Sequence, residues 1–184
     1  MSYVKIKDQA VNINSTKNIL LRQEWARQFL APSLENKHWL NIDESWLNMM
    51  DFRRRAWTPK HASSSLSKRI ANPRISLTLC ISSRGRVYYS LSQANNNSQT
   101  ISLFMRELCL VLDQEDRGWR KHTVVLMDNA PYHTSYETKL AFQHLKVPVM
   151  FLAPYSFDVA PCELFFAILK SSNLNPEDLS LGKR

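Results

Sequence analysis

Three acidic residues stand where the hydrophobic pattern of the chain stops abruptly. Asp43 and Asp128 each close a predicted strand and Glu163 opens a predicted helix, so all three would meet at the carboxyl edge of a single sheet. Hard carboxylate oxygens without Cys or His beside them suit Mg²⁺, with Mn²⁺ as a substitute, because these ions keep several waters and bind a substrate phosphate as well. Two such ions about 3.5 to 4 Å apart serve the attacking and leaving oxygens of a phosphodiester. Taken singly, an acid at a strand end is more often a helix cap or a surface residue. The joint pattern carries the reading. Glu44 and Asp158 are the nearest competitors, ranked lower because Glu44 is placed to cap the next segment and Asp158 lies in a loop.

The elements that must position these acids are set by periodicity. Ile19, Leu20, Trp25, Phe29 and Leu30 predict an amphipathic helix from Thr16 that ends near Pro32, and Trp39 to Ile42 a short strand running into Asp43. Ile75 to Ile81 and Val87 to Leu91, joined across Gly85, read as a β-hairpin. Ser98 to Leu112 has helical spacing, and Thr123 to Met127 is a continuous apolar strand ending at Asp128. Ser135 to Leu145 predicts a helix, Val147 to Leu152 a buried strand, and Cys162 to Lys170 a last helix with Glu163 in its first turn. An antiparallel hairpin leading into β-α-β crossovers predicts an α/β fold, a five-stranded mixed sheet flanked by helices.

The 184 residues are 44% hydrophobic, enough for one domain with a closed core. The longest apolar run, Val147 to Pro154, is too short to span a bilayer, and Met1 to Asn14 lacks the core of a secretory signal, so no membrane partner and an intracellular protein are expected. Cys80, Cys109 and Cys162 form no CxxC pair and read as reduced thiols rather than a disulfide framework or a zinc cage. The net charge of +8 favours a polyanionic partner. Nearly all of it is local. Arg53, Arg54, Arg55, Lys60, Lys68, Arg69 and Arg74 fall between Phe52 and Arg74 with no acidic residue among them, in a stretch rich in Ser and Pro. A long basic loop over 46–74 that contacts the phosphates of a nucleic acid is the reading preferred over a solvated polar excursion.

Three blocks place the chain beside a known family. Asn41-Ile42-Asp43-Glu44-Ser45, Met127-Asp128-Asn129-Ala130-Pro131-Tyr132-His133, and Pro154-Tyr155-Ser156 leading to Ala160-Pro161-Cys162-Glu163-Leu164-Phe165-Phe166 resemble the catalytic blocks of mariner-type transposases and their bacterial insertion-sequence relatives. The blocks occur in that family's order, and the 34 residues between Asp128 and Glu163 are a spacing it uses. The resemblance implies an RNase H-like fold over 39–184 behind a helical lead-in over 1–38. It implies Asp43, Asp128 and Glu163 as catalytic and metal-binding residues holding two Mg²⁺ ions. By the same resemblance Asn129, His133 and Tyr155 are supporting residues, with His133 either positioning the site or contacting DNA, or else a buried hydrogen-bonding side chain.

The resemblance also implies a partner and a reaction: DNA, both transposon ends and target, cleaved and joined by a homodimer or higher assembly. The nucleus would be its place in a eukaryote, the cytoplasm or nucleoid in a bacterium. Two features depart from the pattern. Ser156-Phe157 and Ala160-Pro161-Cys162-Glu163 replace the usual Ser-Pro and Asn-Pro-Ile-Glu pieces, and only about forty residues precede Asp43, where relatives carry helix-turn-helix modules. The alternatives are therefore a catalytically impaired, domesticated DNA-binding derivative and another RNase H-like nuclease.

Overall fold

The computed structural model describes residues 13–48, 60 and 74–172. Along the chain these form α1 (Thr16–Leu34), β1 (His38–Leu47), β2 (Ile75–Ser82), β3 (Val87–Ser92), α2 (Ser98–Glu115), the single turn α3 (Trp119–His122), β4 (Thr123–Met127), α4 (Tyr136–His144), β5 (Val149–Phe151), a 3₁₀ turn (Phe157–Val159) and α5 (Pro161–Ser171). The strands make one five-stranded sheet in the order β3-β2-β1-β4-β5. β1 is antiparallel to β2 and parallel to β4, while β2–β3 is antiparallel and β4–β5 parallel. The mixed sheet expected from the sequence is the one found.

Local chemistry explains the elements. Gly85, at φ +80°, turns the β2–β3 hairpin, where the left-handed region favours glycine. Asn97 and Thr100 form a reciprocal capping box at the start of α2. From there Ile101, Met105, Leu108, Cys109 and Leu112 recur on one face and pack over Leu40, Ile42, Cys80, Val125 and Met127 of the sheet, together with Phe142 of α4. On the opposite face, Cys162 and Phe166 of α5 bury against Leu47, Leu77 and Leu79. Phe29 of α1 stacks between Trp25 and Trp39 on that same side, with ring centroids 5.0 and 4.3 Å apart. β4 is buried along its whole length, as a central strand covered on both faces must be. All three cysteines are buried free thiols, and among the described residues no helix is long and apolar enough to cross a membrane.

Three boundaries differ from the sequence reading. β1 does not end at Ile42 but continues to Leu47, because β2 keeps pairing with it as far as Leu47↔Ile75 after β4 has stopped. Trp46 and Leu47, expected in or beside the basic loop, are thus strand residues. α1 passes through Pro32 to Leu34, so the proline lies within its final turn. β5 is shortened to Val149–Phe151 at the sheet edge, after Pro148, which has no N–H to give a ladder.

Candidate active site

The β1–β4 ladder pairs Asn41 with Leu126. Continued by two residues, that register sets Asp43 level with Asp128, just beyond the end of β4. Asp43 therefore lies inside a strand rather than at its end, yet still at the carboxyl edge of its parallel neighbour, and its Oδ1 accepts the Glu44 backbone N–H at 2.8 Å. Pleating splits the Asp43-Glu44 pair. Asp43 shares the face of Asn41 and Leu47, toward α5, while Glu44 shares that of Leu40 and Ile42. Glu163 is exposed in the first turn of α5.

Asp43 is the acid that feels the other two. Burial is the main reason the Asp43 carboxyl is pushed up to about 7, and the other side-chain charges acting on it, those of Glu163, Asp128 and Glu44, are all negative. Burial also works against ionised Asp128, but the hydrogen bond from His133 and the N–H of Ala130, 3.0 Å from Oδ1, hold its carboxyl below the ordinary range. Concentrated negative charge on hard oxygens fits Mg²⁺ or Mn²⁺. Among the described residues no three His, Cys, Asp or Glu side chains close into a group that could hold an ion by themselves. Mg²⁺ commonly takes only one or two carboxylates and completes its shell with water and substrate phosphate.

Glu44 is placed differently from its expected capping role. Its side chain is only 3% exposed, and His133, with a side chain at 0%, faces it through Nε2 at 3.1 Å. His133 Nδ1 faces Asp128 Oδ1 at 2.5 Å. Ionised carboxylates only accept hydrogen bonds, so an imidazole between two of them is satisfied when both nitrogens carry protons. Burial opposes that charge, but the bonds to Asp128 and Glu44 overcome it and push His133 up to about 9. Tyr132 donates its hydroxyl to Glu44 at 3.1 Å, and burial, then the Glu44 charge, raises its pKa. His133 is thereby a buried hydrogen-bonding side chain behind Asp128, with no surface to offer DNA.

Asn129 donates to the Leu152 carbonyl, tying the residue after Asp128 to the end of β5. Tyr155 is 42% exposed and sits at φ 58°, a left-handed conformation uncommon for a bulky residue, where the chain turns toward the 3₁₀ turn ahead of α5. Asp158 is an exposed member of that turn. Lys60 and Arg74 are exposed; Arg53, Arg54, Arg55, Lys68 and Arg69 lie outside the described residues. Sequence reasoning misses Asn41, a buried polar residue at 2% exposure. Its one signal is an amide inside the otherwise apolar run Trp39 to Ile42.

Acids stand at the carboxyl edge of a β3-β2-β1-β4-β5 mixed sheet, and the family model described as DDE superfamily endonuclease, a class of phosphodiester-cleaving enzyme, matches residues 38–180. The chain belongs to that family. Its fold is the RNase H-like one of the Mos1 mariner transposase. A Mos1 paired-end complex with the left transposon end aligns at TM-score 0.69 and 20% identity, covering 92% of this chain and 53% of that one. A Mos1 paired-end complex with Mn aligns at TM-score 0.68 and 20% identity, covering 96% and 55%. The Mos1 catalytic domain with raltegravir and Mn aligns at TM-score 0.65 and 17% identity, covering 95% of this chain and 81% of that domain. The chain thus spans about half of the Mos1 chains in the paired-end complexes. No curated protein sequence matches it.

Proposed function

We propose that this chain is the catalytic domain of a DNA transposase, which hydrolyses a phosphodiester and joins the freed 3′ hydroxyl to target DNA, with Asp43, Asp128 and Glu163 as ligands for Mg²⁺. The observation that carries the reading is positional: the β1–β4 register sets Asp43 level with Asp128 at the carboxyl edge of the sheet, and Glu163 stands in the first turn of α5, which packs against β1. The family supports the reaction class, and structures of Mos1 with Mn or Mg and transposon-end DNA support the ion and the partner.

Each residue has a separable part. His133 keeps Asp128 ionised and fixes its Oδ1, which leaves Oδ2 as the oxygen to present. Glu44 and Tyr132 hold the far side of the His133 ring. Glu163 is displayed, exposed, in the first turn of α5. When bound, a divalent cation offers Lewis acidity to phosphate oxygens and lowers the pKa of a water. The basic segment over 46–74 supplies phosphate contacts that position DNA without reading its bases, so binding weakens steeply with salt. Partners are DNA ends, a target duplex and a second copy of the chain.

The test is Mg²⁺-dependent nicking of supercoiled plasmid by the full chain, with Asp128→Asn alongside. Nicking by the wild type, lost in the variant while duplex binding persists, is the expected result. Unchanged nicking in the variant would overturn the site. Binding without nicking in the wild type would favour a DNA-binding derivative, and preferential cutting of RNA:DNA hybrid a different nuclease of the same fold.

A further inference from the structure

We infer that Asn41 is a positioning residue for the acid set: it caps α5 from across the sheet and so fixes how far Glu163 stands from Asp43. The inference rests on the reading of these acids as ion ligands. α5 begins poorly by its own means. Its N-cap is Ala160, which makes no side-chain cap bond, and Pro161 comes next at the first turn. Alanine is among the weakest N-cap residues, and the first N–H groups of a helix have no partner within it.

The missing acceptor comes from β1, 121 residues away in sequence: the Cys162 N–H donates to Asn41 Oδ1 at 2.9 Å. Cys162 Sγ also donates to the Asn41 backbone carbonyl at 3.1 Å. One strand residue thereby grips the first turn of α5 through both its side chain and its main chain. The other end of the same amide, Nδ2, donates to the Leu126 carbonyl at 3.4 Å. At 2% exposure Asn41 makes these bonds with little competition from water.

Position makes this more than a cap. Cys162 directly precedes Glu163, Asn41 lies two residues before Asp43 on the same face, and Leu126 lies two residues before Asp128. A single buried amide is bonded or joined within two residues of every acid. Apolar packing alone would leave α5 free to shift, since burial of Phe166 against Leu77 and Leu79 has no direction of its own. The hydrogen bonds to Asn41 do have direction, and they fix the helix where Glu163 is displayed. A serine at position 160 would cap α5 equally well without tying it to β1.

That difference supplies the experiment. Asn41→Ser and the double variant Asn41→Ser/Ala160→Ser are compared with the wild type by calorimetric titration with Mn²⁺ alone, by thermal melting in EDTA, and by duplex binding in EDTA. Serine at 41 is too short to reach Cys162 yet leaves room for water at the orphaned amide and carbonyl. Asn41→Ser should weaken Mn²⁺ binding about ten-fold or more, the usual consequence of losing an outer-shell partner, while duplex binding stays unchanged. Adding Ala160→Ser should recover melting temperature without recovering Mn²⁺ affinity. Wild-type affinity in Asn41→Ser, or full recovery of affinity in the double variant, would overturn the inference and leave Asn41 a structural cap. A wild-type protein that takes up no Mn²⁺ would overturn the ion-site reading and this inference with it, whereas a wild type that binds beside an equally tight variant overturns this inference alone.

Discussion

The Nδ1 of His133 lies 2.5 Å from Oδ1 of Asp128, inside a ring environment closed to solvent. Because Glu44 occupies the other ring nitrogen, the imidazolium is counterbalanced on both sides, but unequally. The Asp128 side chain is half exposed, whereas that of Glu44 is 3% exposed. Removing the imidazole would therefore leave Glu44 as a buried charge without its cation, and the Glu44 side of the bridge dominates stability. We predict that His133→Ala lowers unfolding free energy in urea by about 3 kcal/mol, the lower part of the range for breaking a buried ion pair. In a cycle with Glu44→Gln, the double variant should lose less than the sum of the singles. Additive losses would mean that the two side chains do not interact.

The same pair sets a pH window. The folded pKa of His133 is raised from 6.5 to about 9, so its contribution is complete below 6.5 and is lost as pH rises through about 9. Stability curves of the wild type and His133→Gln in EDTA should converge across that interval. A gap that stays constant from pH 6 to 10 would contradict the protonated bridge.

Asp43 has the same sign for a different reason. Its folded pKa is raised from 3.8 to about 7, so the metal-free protein loses stability as pH rises through that interval, where the unfolded chain ionises first. Asp43→Asn keeps an oxygen for the Glu44 N–H and removes the charge. In EDTA it should melt higher than wild type by a margin that grows up to about pH 7 and is then flat. Mn²⁺ should stabilise the wild type and not the variant. A variant less stable than wild type at pH 8 in EDTA would show that Asp43 is not strained by its neighbours.

The capping box at the start of α2 provides a control remote from the acids. Asn97 accepts from the Gln99 and Thr100 N–H groups at 2.9 and 3.0 Å, so Asn97→Ala should cost about 1 kcal/mol in urea unfolding. Mg²⁺ dependence of nicking should not move.

The thiols give a test of the core. Burial pushes Cys80 up to about 12 and Cys109 up to about 11, and raises Cys162 as well. An aromatic disulfide reagent at pH 8 should titrate no thiol in the native protein and all three in denaturant. Rapid labelling of Cys162 in the native state would show that α5 opens away from β1.

How much of this is legible in the sequence depends on how far along the chain each signal reaches. β4 is legible residue for residue because a strand covered on both faces is a plain apolar run that Asp128 ends. The end of β1 is not, because Asp43 and Glu44 look like a stop. Only the long-range pairing of β2 shows that the strand continues with one acid on each face. Glu44 resembles a cap for the same reason, since its partner His133 is 89 residues away. Asn41 is invisible as a cap because helix-start rules look at the residues beside the helix, and here the acceptor comes from another strand. The basic segment over 46–74 is the strongest compositional signal in the chain, yet most of its cations fall outside the described residues.

Diffraction from crystals of the full chain soaked in MnCl₂, with anomalous maps at the manganese edge, tests the shared ion site most directly. The predicted result is manganese among Asp43, Asp128 and Glu163, with His133 still bonded to Asp128. Manganese bound elsewhere, or density that excludes any one of the three carboxylates from the site, would contradict it.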